Sequence, residues 1–241
     1  TGCSSGIGYD VAHGLRDRGW RVFAACRQQK DCDQLRTEGF DSPRIDYADP
    51  VSIRTGLAEV LETTEGTLDA LYNNGAYALP GALEDLPRDA LREVFETNLF
   101  GWHDLTRQVI PVMRAQGHGR IINCSSVLGL VVMKWRGAYN ASKFALEGMT
   151  DTLRIEMRDT PIKVILIIPG PVTSKIRINS IPHFEKWIDW RGSARADLYE
   201  SSLLKRLYEE RDKDTFELPP SAVTSKLVHA LEARRPRPRS F

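Results

Sequence analysis

Thr1-Gly2-Cys3-Ser4-Ser5-Gly6-Ile7-Gly8 opens the chain and runs directly into a helical pattern that lasts to Gly19. Glycines at 2, 6 and 8 permit a tight turn and let backbone N–H groups come close to a phosphate at a helix N-terminus. A flexible terminus would look similar, so the next segment decides. Arg21-Val22-Phe23-Ala24-Ala25-Cys26 reads as a buried parallel strand, placed where a βαβ unit needs its second strand.

Outward from there, helix and strand patterns alternate. Arg44-Ile45-Asp46 is a short strand, after which Asp49 and Pro50 supply an N-cap and a first-turn proline. The following helix places Ile53, Leu57, Val60 and Leu61 on one face. Leu68 to Tyr72 is a strand ending in Asn73-Asn74-Gly75-Ala76, and a long helical region from about Leu91 to Gln116 carries Asn98. Gly119 to Ser125 is another strand. A helix through Tyr139 continues to about Arg158, with Leu146, Met149, Leu153 and Met157 in a stripe that suits core or a subunit interface. Lys163 to Ile168 is the most apolar strand, broken sharply by Pro169-Gly170-Pro171. This alternation predicts an α/β, Rossmann-like, doubly wound parallel sheet with three αβα layers, a single domain over residues 1–241.

Between 172 and about 218 the pattern loosens. Phe184, Trp187, Trp190, Leu198, Tyr199, Leu203 and Leu204 stand among charges, as in a helical substrate lid. Ser221 to Ala233 reads as a last helix, and the basic, proline-punctuated tail Arg234 to Arg239 as a solvated or frayed end. The first and last strands of such a sheet are expected to lie before Thr1 and after Phe241.

Composition narrows the functional classes. In 241 residues, 33 Lys and Arg balance 32 Asp and Glu, which gives no general attraction to nucleic acid or anionic membranes. No apolar run approaches the ~18 residues of a membrane span. No leader is visible, although the first residue is not Met. Cys3, Cys26, Cys32 and Cys124 have neither metal nor redox spacing, which suits reduced thiols in a cytoplasmic protein. The five histidines show no metal-ligand spacing, so no metal is expected.

Two local features carry chemistry. At the end of the 21–26 strand a dinucleotide fold places Asp or Glu for a ribose 2′-hydroxyl, whereas this chain has Cys26 and then Arg27. An arginine there suits a 2′-phosphate and so favours NADP(H), with NAD(H) possible; a solvated surface arginine is the other reading. Further on, Tyr139 and Lys143 are four apart and stack on one helical face. An ammonium near a phenol favours the phenolate and draws its pKa down from about 10 toward the range of a general acid/base. A serine hydroxyl aimed at the same point, Ser126 or its neighbour Ser125, would hold a substrate oxygen.

Taken together, these pieces resemble the short-chain dehydrogenase/reductase family over essentially the whole chain. Thr1-Gly2-x-x-x-Gly6-Ile7-Gly8 matches the family's cofactor loop, Asp46 its adenine-contacting aspartate, and Asn98, Ser126, Tyr139 and Lys143 its catalytic tetrad in identity, order and spacing. The spacing of thirteen to the tyrosine selects Ser126. The flavour is that of 17β-hydroxysteroid and retinol dehydrogenase-like members. Two departures stand out: Asn73-Asn74-Gly75-Ala76 transposes the family's small residues, and Ser174 replaces its threonine, with Thr173 adjacent.

The resemblance implies hydride transfer between a nicotinamide and a carbonyl or alcohol carbon, with Tyr139 as proton donor. Ser126 would stabilise the substrate oxygen, Lys143 would also hold the ribose hydroxyls, and Asn98 would position a water that relays protons. It implies cofactor contacts from Thr1, Gly2, Ser4, Ser5, Gly6, Ile7, Gly8, Arg27, Asp46, Tyr47, Asn74, Gly75, Ala76, Tyr139, Lys143, Pro169, Gly170, Val172, Thr173 and Ser174. It further implies a small-molecule partner, with the lid suggesting an apolar alcohol, ketone or aldehyde, and a homodimer or homotetramer through the Asn98 and Tyr139 helices. Two rival functions stand beside it. A non-catalytic dinucleotide-binding regulator has no need of Ser126, Tyr139 and Lys143 together; a sugar-nucleotide epimerase has a different glycine spacing and a longer C-terminal domain.

Overall fold

The computed structural model describes residues 1–209, 214 and 216–241. Its sheet is wholly parallel, with β1 (Ala70–Asn73), β2 (Gly119–Cys124), β3 (Ile162–Ile167) and β4 (Arg239–Ser240) side by side in that order. In β2, Ile121 pairs with Leu71 on one side and Val164 on the other. Successive side chains of a strand point to opposite faces. Ile121 accordingly packs with Leu105, Val109 and Met113, while Ile122 packs with Val11, Val223 and Leu227. Burial on both faces explains why β3 reads as an almost continuous apolar run without alternation.

The helices are α1 (Gly6–Arg16), α2 (Gln29–Thr37), α3 (Pro50–Thr63), α4 (Arg88–Phe95), α5 (Gly101–Gln116), α6 (Gly137–Glu156), α7 (Ile176–Trp187), α8 (Ala196–Leu198), α9 (Lys205–Tyr208) and α10 (Ser221–Glu232). Residues of α1 and α10 cover one face of the sheet, and those of α3, α5 and α6 the other. This is the expected three-layer arrangement. The predicted start of α3 is also as read: Asp49 accepts a hydrogen bond from the Val51 N–H at 2.9 Å, and Pro50 is the first helical residue.

Four local expectations need correction. Residues 21–26 and 44–46 do not form continuous strands; they meet only through isolated parallel bridges, Phe23 with Asp41 and Cys26 with Arg44. Pro43 has no N–H to give to a ladder, and the Ser42 hydroxyl takes the Ala24 carbonyl at 2.7 Å. The Cys3 N–H donates to the Ala25 carbonyl and the Thr1 amino group to that of Tyr72, which ties the pair to β1.

The predicted run from Leu91 to Gln116 is broken at Glu96–Phe100 by one turn of π-helix, between α4 and α5. The basic tail is not frayed throughout. Arg239 and Ser240 pair with Leu166 and Ile167 as β4, so this strand precedes Phe241. The Arg239 guanidinium reaches Glu147 at 3.2 Å and Asp151 at 2.5 Å, both on α6. Of the α6 stripe, Leu146 and Met157 are buried, but Met149 is exposed.

Within the predicted lid, α7, α8, a π-turn at Tyr199–Leu204 and α9 form a separate apolar cluster. Phe184, Ile188, Tyr199, Leu203 and Leu207 pack there against Tyr77, Val94 and Trp135. Positions 210–213 and 215 of that segment lie outside the described residues. No helix among the described residues is long and apolar enough to cross a membrane.

Candidate active site

The glycine loop is shaped by contact with a second turn. Gly2 (φ +64°) and Gly6 (φ +58°) adopt left-handed backbone that a side chain disfavours. A Cβ on Gly2 would lie 2.6 Å from the Gly75 Cα, and one on Gly8 2.2 Å from the Gly2 carbonyl oxygen. Thr1 Oγ1 accepts from the Asn74 N–H at 3.0 Å, and Asn74 Nδ2 donates to the Thr1 carbonyl. Ser5 stands at the N-cap of α1 but makes no capping bond, so no side chain of its own covers the N–H groups of that turn. A closely packed, uncovered helix start fits the phosphates of a dinucleotide.

Ser174 closes the loop on its other flank, with its Cβ 3.3 Å from a Cβ built on Gly6. Thr173 is turned away, its hydroxyl donating to Glu217 at 2.8 Å. Tyr47 differs from its expected role. Its phenol is buried, donates to Asn73 Oδ1 at 2.6 Å and lies 2.7 Å from Thr1 Oγ1, so its side chain supports the loop from behind.

At the end of the Cys26 segment, Arg27, Gln28, Gln29, Lys30, Arg44 and Asp46 line an open basin. Arg44 Nε donates to the Arg27 carbonyl at 3.0 Å, and Asp46 Oδ1 accepts from the Ala48 N–H at 3.0 Å. The sequence reading found Arg27 and Asp46 but missed Lys30 and Arg44. They reach the basin from the start of α2 and from the 41–45 segment, and no local pattern marks them.

Tyr139 and Lys143 lie one turn apart on α6, both buried. Lys143 Nζ donates to the Cys124 carbonyl at 2.8 Å, 4.4 Å from the centre of the Trp102 ring and 5.6 Å from that of Tyr139. Trp102 Nε1 in turn donates to the Gly75 carbonyl at 2.8 Å, so one indole touches both the lysine and the cofactor turn. The electrostatics correct the simple tyrosine–lysine reading. Burial raises the Tyr139 phenol above its ordinary value, and the nearby Ser126 hydroxyl and the Arg136 charge draw it partly back. The ammonium is engaged with Cys124, and burial lowers Lys143 to about 8.

Ser126 Oγ accepts from the Leu128 N–H at 3.1 Å. Ser125 is buried, and its hydroxyl has no partner among the described residues. Asn98 lies in the π-turn, fully buried. Its Oδ1 accepts from the Tyr77 N–H at 3.1 Å, and its Nδ2 donates to the Tyr77 carbonyl at 2.9 Å and to Ser142 Oγ at 3.2 Å. Its side-chain amide is therefore committed to protein groups. Ser142 Oγ donates to the Tyr139 carbonyl at 2.8 Å, which links this clamp to α6.

Comparison with known proteins agrees with this geometry. Residues 1–183 match the short chain dehydrogenase family model. The chain belongs to the short-chain dehydrogenase family. It is 36% identical over 240 residues to an uncharacterised oxidoreductase, YbbO, of Escherichia coli strain K12, covering 99% of this chain and 82% of that protein. Retinol dehydrogenase 16 of Mus musculus is 34% identical over 251 residues, covering 99% and 78%. Among solved structures, a short-chain dehydrogenase/reductase from Burkholderia phymatum in complex with NAD superposes with a TM-score of 0.81 at 24% identity, covering 99% of this chain and 86% of that one. Actinorhodin polyketide ketoreductase with NADPH gives 0.75 at 28% identity, covering 96% and 88%. This member is thus an oxidoreductase with an NAD(P)-binding Rossmann fold.

The depressed lysine has a measurable consequence. Unfolded, Lys143 titrates near its ordinary 10.5; folded, near about 8. Between these values the unfolded chain binds more protons, so this group's contribution to stability rises with pH. The burial penalty is complete at pH 7 and smaller at pH 9.5. In urea unfolding, the stability of wild type relative to Lys143→Met should improve by about 2 kcal/mol from pH 7 to pH 9.5.

Proposed function

We propose that the chain interconverts a ketone or aldehyde and the matching alcohol, using NADP(H) in preference to NAD(H). The observation that carries this reading is the contact of Trp102 with both Lys143 and Gly75, which joins the Ser126–Tyr139 hydroxyls to the dinucleotide cradle. Gly2, Gly6, Gly8 and Ser174 would hold the pyrophosphate and nicotinamide end, Asn74 and Gly75 the floor, and Asp46 the adenine end. The bound nicotinamide supplies or accepts the hydride.

In the reducing direction Tyr139 donates its proton to the substrate oxygen. A phenol kept protonated by burial is suited to that task, and Ser126 hydrogen-bonds the same oxygen and stabilises its growing charge. Lys143 fixes the end of β2 through Cys124 and stands ready for the ribose hydroxyls. Asn98 holds the Tyr77 backbone in place below the site. The described residues between Val172 and Leu218 serve as a lid packed down by its buried aromatic cluster, with the half-buried Trp187, Trp190 and Leu204 left for an apolar substrate body. The exposed Phe144, Met149 and Ile155 on α6 suit a helix-to-helix homo-oligomer.

The preference for NADP(H) rests on Arg27, Lys30 and Arg44 sharing one basin with a single carboxylate, Asp46. A charge-assisted bond to the 2′-phosphate is worth about 1.5–3 kcal/mol, or about 10- to 100-fold in affinity. Arg27→Ala should therefore weaken NADPH binding about 10- to 100-fold and NADH binding under about threefold, read by fluorescence titration. Equal losses would discard the assignment. The activity itself is tested by mixing protein, NADPH and a panel of ketones and aldehydes while following nicotinamide absorbance. Tight NADPH binding without turnover across the panel would favour a regulator instead.

A further inference from the structure

Seven buried side-chain polar atoms among the described residues lack a hydrogen-bond partner, and three of them fall around the start of α6: Trp135 Nε1, Arg136 Nη1 and Asn140 Oδ1. Trp135 is 9% exposed and Asn140 5%, while Arg136 is half-buried with its Nη1 covered. Arg136 is the N-cap residue of α6, three positions before Tyr139. No carboxylate among the described residues pairs with it. A cation with a covered nitrogen and no acceptor is costly, and a planar guanidinium is best satisfied by a carboxylate held through two parallel bonds.

The surroundings make the deficit larger. Partial burial opposes the charged form of Arg136, Arg206 from α9 adds a second positive charge that does the same, and Tyr139 acts the other way. Arg206 has its own partner in Asp214, at 3.5 Å. The backbone that presents Arg136 is itself unusual. Trp135 has φ +66°, a conformation seldom taken by a bulky residue, and strain of this kind collects at functional sites. It is held by the Gly81 N–H, which donates to the Trp135 carbonyl at 3.1 Å, and by the Trp135 ring against Tyr199 at 4.7 Å. Strand-like pairing of Gly81 with Arg136 fixes the next residue as well.

We propose that Arg136 anchors a carboxylate on the substrate, so that this site takes amphipathic keto acids or hydroxy acids. The apolar body would lie along the half-buried rim of the aromatic cluster, where Trp187, Trp190 and Leu204 stand, and the carboxylate would reach the guanidinium from its open side. This rests on the carbonyl-reductase reading above and adds to it a substrate class. Arg136 acts here as a specificity residue, and Tyr139 remains the proton donor.

The test is a series of aryl keto acids with two to six methylenes between carbonyl and carboxylate, each paired with its primary amide. At the best length, kcat/KM for the acid should exceed that for the amide at least about tenfold, as a charge-assisted bond predicts. Arg136→Gln should bring the ratio close to one, and Arg136→Lys should keep part of it. Because Arg136 also acts on Tyr139, both substrates should slow in Arg136→Gln, and the ratio isolates the anchor. Undiminished NADPH affinity shows that each variant is folded.

A second measurement needs no turnover: calorimetric titration of the NADPH complex with 5-phenylpentanoate, whose binding should be lost in Arg136→Gln. Arg136-dependent binding without turnover of any ketone would remove the redox reading and keep the anchor. Turnover of amides as fast as acids, at every length, would remove the anchor and keep the redox reading. Absence of both acid preference and 5-phenylpentanoate binding would overturn the proposal.

Discussion

Tyr139→Phe should lower kcat for carbonyl reduction about 10²- to 10⁴-fold, the usual cost of removing a positioned general acid. The substitution deletes one oxygen and leaves a ring of nearly the same shape on a buried, fully helical site. KM should therefore change little, and NADPH binding should persist. Ser126 is held by the Leu128 N–H at 3.1 Å, which the substitution does not touch, so the serine should stay in place. Steady-state rates with a good ketone, together with NADPH titration of the same preparation, check both halves. Full activity in the variant would mean that another group delivers the proton.

Asn98→Ala should be the most destabilising single change near the site. The amide makes three bonds in a region closed to water: two to the Tyr77 backbone and one to Ser142. Its removal leaves the Tyr77 N–H and carbonyl without partners, each at about 1–3 kcal/mol. A loss of about 3 kcal/mol in urea-unfolding stability is expected, or a fall of several degrees in Tm. Asn98→Asp keeps the acceptor for the Tyr77 N–H but offers no donor for its carbonyl, and should be about as damaging. Activity should fall with stability, because Ser142 ties the same clamp to the Tyr139 carbonyl. A stable but inactive Asn98→Ala would instead support the water-relay role.

What the sequence revealed was mostly local. The spacing of Tyr139 and Lys143 survives because helical geometry puts residues four apart on one face. Asp49 and Pro50 mark a helix start through groups within two residues of each other. An almost continuous apolar run located β3 because both faces of that strand are buried. Hidden features depended on distant partners. Pro43 and the Ser42 hydroxyl turned an expected ladder into isolated bridges. Arg239 gave a basic tail its place by reaching Glu147 and Asp151, about ninety residues earlier in the chain. Cofactor-side cations split likewise: Arg27 stood where a motif looks, while Lys30 and Arg44 arrived by folding. The Lys143 ammonium was read as the partner of Tyr139, but the Cys124 carbonyl that captures it lies nineteen residues away.

The π-turn at Glu96–Phe100 makes this stretch able to absorb a change of length. Such a turn carries one more residue than an ordinary helical turn would hold. Excising one of its outward positions, Glu96 or Phe100, would let the turn close at regular pitch, and the helix beyond it would keep its phase. Trp102 would then stay against Lys143 and the Gly75 carbonyl, whereas the same excision in regular helix would swing everything after it by about 100° around the axis.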